Sequence, residues 1–446
     1  MLQLLKHQQK EIKVNINEKL AKFGFKSADI LIPSDGIDLK AWAVVACDQY
    51  TSQPEYWHEL EAEIGSKPST LKIIYPEVYL ESPDKEEIIK SINETMHSYL
   101  ENGIFKEYKD SFILVKRDTE SGTRYGLMAA LDLEQYDYSV SSHTLIRATE
   151  GTILSRIPPR KQIRKNAELE LPHIMVLISD KYRKIIEPLR DKKDSLKKIY
   201  ETDLNKDGGH ITGYLVDRDE DKETIAEGFE KIYSELDKSN PLLFAMGDGN
   251  HSLATAKSCW EDLKATLTEE ERKTHPARFA LVEIENIFDE GLQFEPIHRV
   301  FFNLKKDAFD KLLIDNCKSF SSEKISDKHK MLEEINKPGQ HFGLIDKNGM
   351  YVYTVVNGKK NIAAGTLQLI IDQMLEKNLG QVDYIHGVDV TLELARKDEN
   401  IGVILPDISK ENFFSDMLKD GAYPRKTFSI GHANEKRYYM EARKIK

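Results

Sequence analysis

Apolar residues recur along the chain with two spacings, and these predict helices that alternate with strands. Between Ser82 and Gly103 the apolar side chains return every three or four positions, which predicts a helix capped at Ser82 and stopped at Gly103. Apolar runs at 111–115 and 125–131, on either side of a turn at 120–122, predict a β-hairpin. Further apolar runs predict strands at residues 173–179, 211–216, 242–246, 279–284 and 342–345.

Helical spacing fills the intervals between these strands. It predicts helices at about residues 182–198, 221–238, 252–264, 305–317 and 365–378. We therefore expect an α/β fold (mixed α+β), with mixed sheets of parallel and antiparallel strands surrounded by helices. Polar, glycine-containing stretches at 203–209 and 336–340 are candidate linkers, and we expect two to three lobes, with boundaries at 1–205, 206–325 and 326–446.

The composition is that of a folded protein with an acidic surface. Apolar residues make up 40% of the 446 residues, which is enough for ordinary cores, and charged residues of both signs make up 31%. The net charge of −11 repels polyanions and therefore disfavours nonspecific nucleic-acid binding and anionic membrane surfaces. We expect a small-molecule ligand, no nucleic-acid partner and no membrane partner.

Cysteine usage and the N-terminal segment bear on location. The three cysteines form no Cys-x-x-Cys pair, which argues against a disulfide framework or a zinc knuckle and fits a reducing compartment. Between Met1 and Lys13 no apolar run is long enough for a signal-peptide core. No apolar stretch reaches the roughly 20 residues of a membrane span. The expected location is cytoplasmic.

The strongest candidate site follows the strand predicted at 242–246. Gly247, Asp248, Gly249, Asn250 and His251 stand between this buried strand and the start of a helix. At such a junction, free backbone N–H groups and the helix dipole point at one place, and glycines let a ligand approach the backbone. Asp248 would hold Mg²⁺ or act as a base, and His251 would donate a hydrogen bond to a phosphoryl oxygen or move a proton. The alternative is a plain turn with an Asn or Ser helix cap, because Asp-Gly is a common turn dipeptide.

A basic segment between residues 143 and 164 offers cations for the same ligand. It contains Arg147, Arg156, Arg160 and Arg164, and the prolines at 158 and 159 exclude one straight helix. Its arginines would bind phosphate oxygens through two hydrogen bonds each. Alternatively, they pair with the nearby Glu168 and Glu170 on the surface.

Two later segments combine cations with strand-like sequence. His298 and Arg299 enter an otherwise apolar strand, where they would line a cleft or belong to an ordinary edge strand. Arg425 and Lys426 stand among hydroxyl residues and a glycine near the C-terminus. This last segment would contact phosphate or form the basic edge of a hairpin.

Taken together, these motifs resemble one family. The loop at 247–251, the strand Glu295-Pro-Ile-His298-Arg299, the segment at His143-Thr144 and the closing Pro424-Arg-Lys-Thr-Phe-Ser429 occur in one order. This order is similar to that of the bacterial and archaeal family called domain of unknown function 1015, over nearly the whole chain. The family is grouped more distantly with the ParB/sulfiredoxin-like superfamily, which implies a ParB-like core around the loop, within residues 206–325.

The superfamily resemblance implies a nucleotide. Its members include free-serine kinases, which phosphorylate the serine hydroxyl, and partition proteins, which bind and hydrolyse CTP. The resemblance therefore implies ATP or ADP near Asp248 and His251, with Mg²⁺ at Asp248. The kinases use an upstream glutamate as the base, and Glu150 is the candidate for that role here.

The loop departs from the kinase pattern at one position. The kinase-type loop continues His-His-Arg, whereas this chain has Asn250, His251 and Ser252. The missing arginine would have contacted phosphate. Either Arg147, Arg164 or Arg299 replaces it, or tight nucleotide binding is lost.

Three functions remain open at this point. The first is a nucleotide-dependent phosphotransferase acting on a small hydroxyl-bearing metabolite, comparable with a free-serine kinase, in which nearby arginines stabilise charge. The second is a non-catalytic nucleotide-binding regulator of the ParB type, although the chain has no helix-turn-helix signature. The third is a metal-dependent hydrolase that uses Asp248, His251 and His298, which are not at short ligand spacing.

Overall fold

Sheets flanked by helices make up the protein, which is seen in a computed structural model that describes residues 15–446. The segment Met1 to Lys13, on which the signal-peptide prediction rests, lies outside these residues. Within the described range, no helix is both long enough and apolar enough to cross a membrane.

The elements alternate along the whole described chain. The helices are α1 (Ile16–Ala21), α2 (Leu39–Trp42), α3 (Pro54–Ile64), α4 (Lys85–Glu101), α5 (Ile157–Arg164), α6 (Glu187–Asp191), α7 (Asp219–Ser234), α8 (Asn250–Lys264), α9 (Glu269–Thr274), α10 (Lys306–Ile314), α11 (Lys328–Ile335), α12 (Ala363–Glu376), α13 (Val388–Ala395) and α14 (Phe413–Asp420). The strands are β1 (Phe25–Lys26), β2 (Ala28–Pro33), β3 (Phe105–Thr119), β4 (Gly122–Asp132), β5 (Tyr136–Asp137), β6 (Ile146–Arg147), β7 (Leu169–Glu170), β8 (Met175–Ile178), β9 (Lys197–Asp203), β10 (His210–Val216), β11 (Phe244–Asp248), β12 (Phe279–Asn286), β13 (Phe294–Phe302), β14 (Cys317–Ile325), β15 (Gln340–Asp346), β16 (Gly349–Gly358), β17 (Gln381–His386), β18 (Asn400–Ile404), β19 (Phe428–Ile430) and β20 (Arg443–Lys444).

The larger sheet has eleven strands in the order β5-β6-β11-β8-β12-β4-β3-β10-β9, with β1 added at β4 and β2 at β3. Most neighbours are antiparallel, but β11 pairs in parallel with β6, and β12 in parallel with β8. Side chains alternate across this sheet, so Ile113 and Val115 join one core while Phe112 and Leu114 join another. Both faces are therefore covered, and the strand β11 that precedes the candidate loop is buried inside the sheet.

The smaller sheet has seven strands in the order β14-β16-β15-β18-β13-β17, with β19 added at β13. A separate apolar cluster joins the two sheets: Leu177 and Ala245 from the larger sheet pack with Phe413, Tyr423 and Phe428. This cluster places the beginning of β13 and the segment around residue 425 on the same side as the candidate loop.

The predicted mixed α/β fold with parallel and antiparallel pairs is confirmed. The helix predicted at 182–198 is wrong over most of its length, since α6 is one short turn and β9 begins at Lys197. The helix predicted at 305–317 ends at Ile314, because Cys317 already pairs with Gly358 in β16. Pairing with β16 overrides local helical spacing at residue 317, whereas residues 187–191 and 193–195 form only short helical turns before β9 begins.

The three predicted segments do not correspond to the sheets. The boundary predicted at residue 205 falls between β9 and β10, which are neighbours in the larger sheet. Residues 279–286 lie in the larger sheet and residues 294–302 in the smaller one, so the predicted core segment 206–325 contributes to both. Near its C-terminus the chain returns to the predicted segment 1–205, where β20 pairs with β7.

This return of the chain buries charged groups beside the larger sheet. The Nε of Arg437 lies 2.8 Å from Oε2 of Glu283, and the same guanidinium pairs with Glu441. Arg437 is 2% exposed and both carboxylates are 0% exposed. Gly126 makes room for them, because a Cβ there would overlap the Glu283 carboxyl. Charges this deeply buried are tolerated only when they are paired.

We expect Arg437→Met to lower the free energy of unfolding by about 3–5 kcal/mol, because it leaves two buried carboxylates without a cation. Urea unfolding at pH 7, followed by circular dichroism, measures the change. The matched control is Arg396→Met at the exposed end of α13, where a change within about 0.5 kcal/mol is expected. A loss below about 1 kcal/mol in Arg437→Met would show that the pair is not needed for stability.

Candidate functional site

The candidate loop has the predicted order of buried strand, glycine turn and helix. Strand β11 ends at Asp248, Gly249 follows with a φ of +81°, and α8 begins at Asn250. A Cβ on Gly249 would lie 3.1 Å from the Cα of Ile174, so both the backbone angle and the close approach favour glycine. The turn therefore holds α8 tightly against the sheet.

The first turn of α8 has no side-chain cap. Gly249 occupies the cap position, and the Asn250 side chain instead accepts the N–H of Thr149 at 3.3 Å. The alternative of a turn capped by Asn or Ser is therefore wrong. Uncapped N–H groups at the start of a helix, together with the helix dipole, attract anions.

A polar cavity of about 560 Å³ lies at this helix start. Its walls bring together several of the predicted residues, namely Glu150, Asp248, Gly249, Asn250 and His251. They also contain Arg156 and Arg160 of the basic segment, and three residues that we did not select from the sequence, namely Asp48, Glu77 and Ser252. Asp48 and Glu77 follow no local pattern that would have marked them.

Glu150 is a cavity acid whose pKa is strongly raised. Burial raises its pKa to about 7, and the nearby charge of Asp248 adds to the rise, while Arg299 and Arg425 oppose it. One of its oxygens accepts the backbone N–H of Lys426 at 3.1 Å. Glu150 can therefore gain or lose a proton near neutral pH.

Asp248 connects the loop to the C-terminal segment. Its Oδ1 accepts the N–H of Gly249 at 2.9 Å, and its Oδ2 lies 3.3 Å from Nζ of Lys436. The same ammonium group donates to the carbonyl of Ile430 at 2.8 Å. A cation thus stands beside the carboxylate that is predicted to hold Mg²⁺ or act as a base.

His251 is a neutral hydrogen-bonding group. Burial lowers its pKa to about 4, and the positive charges of Arg156 and Arg160 lower it further. Its Nε2 accepts the N–H of Ile153 at 3.2 Å, which assigns the proton of the neutral ring to Nδ1. His251 can therefore donate a hydrogen bond at neutral pH.

The two arginines of the cavity lie at the start of α5. The two prolines stand in the first turn of this helix and begin it rather than break it, so Arg156 and Arg160 flank the start of α5. Arg160 binds Glu77 with two nitrogens, one of them at 2.7 Å. Within the part of the chain that the structure describes, Arg156 forms no ion pair with an acid.

The other two arginines of the basic segment lie outside the polar cavity. Arg147 is buried, and its guanidinium donates to the carbonyl of Pro241 at 2.6 Å. Arg164 pairs with Glu170 at 2.5 Å, as the alternative interpretation of the basic segment holds. Neither lines the polar cavity, because both are engaged by their own neighbours.

Arg299 and Lys426 form a separate basic group at Tyr384, and neither they nor His298 and Arg425 line the polar cavity. Arg299 lies 4.2 Å over the Tyr384 ring, and Nζ of Lys426 lies 5.0 Å from the same ring. Nδ1 of His298 accepts the N–H of Leu405 at 3.2 Å. The charges of Arg299 and Arg425 act on the cavity at Glu150, where they oppose the rise of its pKa.

No metal site of three protein ligands forms in residues 15–446. No cluster of three or more His, Cys, Asp or Glu side chains in this range is placed to hold a metal ion. Asp248, His251 and His298, the ligands of the hydrolase hypothesis, therefore do not meet.

We expect Glu150→Gln to become more stable than the wild-type protein as pH rises from 4.5 to 8. The folded pKa is raised above the unfolded value, so ionisation disfavours folding and wild-type stability falls as pH rises through the folded pKa. The difference should grow by about 3 kcal/mol over this window. Urea unfolding at pH 4.5, 6 and 8 measures it.

Glu81→Gln, at an exposed position on the rim of the same cavity, is the control. It should change stability by less than about 0.5 kcal/mol at each pH. A pH-independent difference between Glu150→Gln and the wild-type protein would contradict the raised pKa.

Comparisons with known proteins give a family and several distant folds. The family model described as "Protein of unknown function (DUF1015)" matches residues 31–379. A conserved hypothetical protein from Pyrococcus furiosus is 11% identical, with a TM-score of 0.34, over 69% of this chain and 90% of that one. A free serine kinase in complex with AMP is 10% identical, with a TM-score of 0.36, over 71% of this chain and 90% of that one.

A third solved structure, SbnI from Staphylococcus aureus with a C-terminal truncation, is 8% identical, with a TM-score of 0.32, over 68% of this chain and 82% of that one. A search of curated proteins found no match. Likenesses of this size leave the function to be argued from the residues of the chain itself.

Proposed function

The chain belongs to the DUF1015 family, and we propose that it transfers a phosphoryl group from a nucleotide, ATP or ADP, to the hydroxyl of a small metabolite. One arrangement carries the proposal: Glu150 and Asp248 meet the uncapped start of α8 in a polar cavity that also contains Arg156 and Arg160. Phosphoryl transfer requires positioning and charge neutralisation more than covalent chemistry. This arrangement supplies a base, an anion cradle and cations.

The phosphate groups of the nucleotide fit the start of α8. Free N–H groups of its first turn and Nδ1–H of His251 are donors, and Arg156 is a cation without an acidic partner in the described residues. A cavity of about 560 Å³ is within the ordinary size of ligand pockets, roughly 300–1,000 Å³. Arg156, which has no acidic partner in the described residues, would take the place of the arginine that the loop lacks.

Glu150 is the proposed general base. It would take the proton of the metabolite hydroxyl while that oxygen bonds to the terminal phosphorus. The bond between this phosphorus and its bridging oxygen breaks, and the electron pair leaves with the shortened nucleotide. A pKa of about 7 suits this role, because a base works best when its pKa is near the working pH.

Asp248 is the proposed Mg²⁺ ligand. Mg²⁺ is commonly bound by one or two carboxylates together with substrate phosphates, so a site of three protein ligands is not required. Asp248 lies at the cavity wall beside the phosphate cradle, with Asp48 as a second carboxylate. The ion would neutralise phosphate charge when bound. Lys436, now 3.3 Å from Asp248, supplies a further cation there.

We expect Glu150→Gln to lower kcat by about 10²- to 10⁴-fold while nucleotide affinity is retained, because the base is lost but the cradle is not. Transfer of phosphate from ATP to a panel of small alcohols, including serine and glycerol, measures kcat. The wild-type rate should rise with pH and level off above about pH 7, since Glu150 must be ionised. Glu81→Gln is the control and should keep the wild-type rate and profile.

We expect ATP or ADP with Mg²⁺ to raise the melting temperature of the wild-type protein, and Asp248→Asn to lose the Mg²⁺-dependent part of the shift. A thermal-shift screen with ATP, ADP, CTP and GTP, with and without Mg²⁺, measures this. Asp262→Asn, at an exposed position later in α8, should behave as wild type.

The same screen separates the alternatives. Binding without transfer to any alcohol would favour the non-catalytic regulator of the ParB type. If no nucleotide shifts the melting temperature at millimolar concentration, both the phosphotransferase and the regulator are excluded.

A further inference from the structure

A second cavity shares a wall with the polar one. It has a volume of about 150 Å³, and the two cavities have Glu77, Arg160 and Ser252 in common. Its other walls are mostly aliphatic and include Ile73, Met96, Ile163, Leu169, Ile174 and Leu281. We call it the apolar chamber.

The charged side chains of the apolar chamber are already paired. Glu77 binds Arg160 at 2.7 Å, and Glu170 binds Arg164 at 2.5 Å. Glu170 also pairs with Arg443 at 2.7 Å and accepts the N–H of Leu281 at 2.8 Å. The chamber therefore offers no free charge to a polar occupant.

The hydroxyl and imidazole groups of the chamber are satisfied as well. Nε2 of His173 lies 2.7 Å from Oγ of Ser252, and its Nδ1 lies 2.7 Å from the hydroxyl of Tyr439. Thr255 donates to the carbonyl of His251 at 2.7 Å, and Tyr75 donates to the carbonyl of Tyr79 at 2.7 Å. An occupant of the chamber is therefore selected by shape and apolar surface.

The size of the chamber limits that occupant. Protein interiors contain few voids larger than a water molecule, because an empty space forfeits dispersion contacts for the atoms around it. A cavity of this volume accommodates a group of about the size of benzene. The chamber thus fits a compact apolar group of roughly six heavy atoms.

We propose that the phosphoryl acceptor is an alcohol with such an apolar group, which occupies the chamber while its hydroxyl lies in the polar cavity. The proposal rests on the proposed phosphotransferase function. Ser252 lines both cavities and marks where the two parts of the acceptor would meet. Serine and glycerol, which have no apolar group, would be poor acceptors.

Benzene binding tests the chamber without any catalysis. Saturating benzene should raise the melting temperature of the wild-type protein by about 1–2 °C. Ala167→Leu adds three carbons to the chamber wall and should abolish this shift, whereas Ala265→Leu, exposed at the end of α8, should keep it. Retention of the nucleotide shift by Ala167→Leu shows that this variant is folded.

Xenon provides a second measurement in case Ala167→Leu fails to fold. Crystals of the wild-type protein under xenon pressure should show the gas between Met96 and Leu281. If neither benzene nor xenon enters the chamber, the proposal is overturned, whatever the outcome for phosphoryl transfer.

Acceptor kinetics test the assignment of the substrate. The kcat/KM for benzyl alcohol should exceed that for glycerol by about 10- to 100-fold, the gain expected from burying a phenyl group. Ala167→Leu should remove this advantage, whereas Ala265→Leu should keep it. Equal values for the two alcohols in the wild-type protein would overturn the acceptor assignment, even if the enzyme is a phosphotransferase. If benzene binds but no alcohol is phosphorylated, the proposed function itself is excluded.

Discussion

The burial of Arg437 between Glu283 and Glu441 is the constraint on which the rest of the structure depends. These charges cannot be left unpaired in the interior, so the C-terminal segment must return to the larger sheet. Its neighbours then reach the candidate site: Lys436 lies beside Asp248, and the hydroxyl of Tyr439 contacts His173. Residues near the end of the chain thus lie beside a loop that is nearly two hundred positions earlier in the sequence.

Within the site, burial moves two pKa values in opposite directions. It raises the pKa of Glu150 to about 7 and lowers that of His251 to about 4. Near neutral pH the acid is partly protonated and the histidine is neutral, so the first turn of α8 faces a cavity in which the arginines supply the positive charge. The same turn, through Ser252, also lines the apolar chamber. The start of α8 therefore lines both a polar cavity and an apolar one.

The elements that local spacing predicted well are those with one continuous apolar face. Helix α4, the hairpin of β3 and β4, and the pair β11 and α8 all lie where the periodicity places them. Strand β14 was not predicted, because most of its side chains are exposed and no apolar alternation marks it. The helix predicted at 182–198 is wrong because residues 187–191 and 193–195 form only short helical turns and the last two residues belong to β9.

For the site, the sequence by itself determined the loop at 247–251 and the helix that follows it, because glycine spacing and apolar spacing are local properties. Glu150 was named as a candidate base only from the resemblance to the kinases. The sequence did not determine which cations face the loop. Arg147 and Arg164 stand in the same basic segment as Arg156 and Arg160, and only the tertiary structure decided that the latter pair lines the cavity. The tertiary structure also places Asp48 and Glu77 at the cavity and Lys436 beside Asp248, and it forms the apolar chamber. Such contacts join residues far apart in the chain, and they depend on the packing of whole sheets and helices, which no local pattern of residues records.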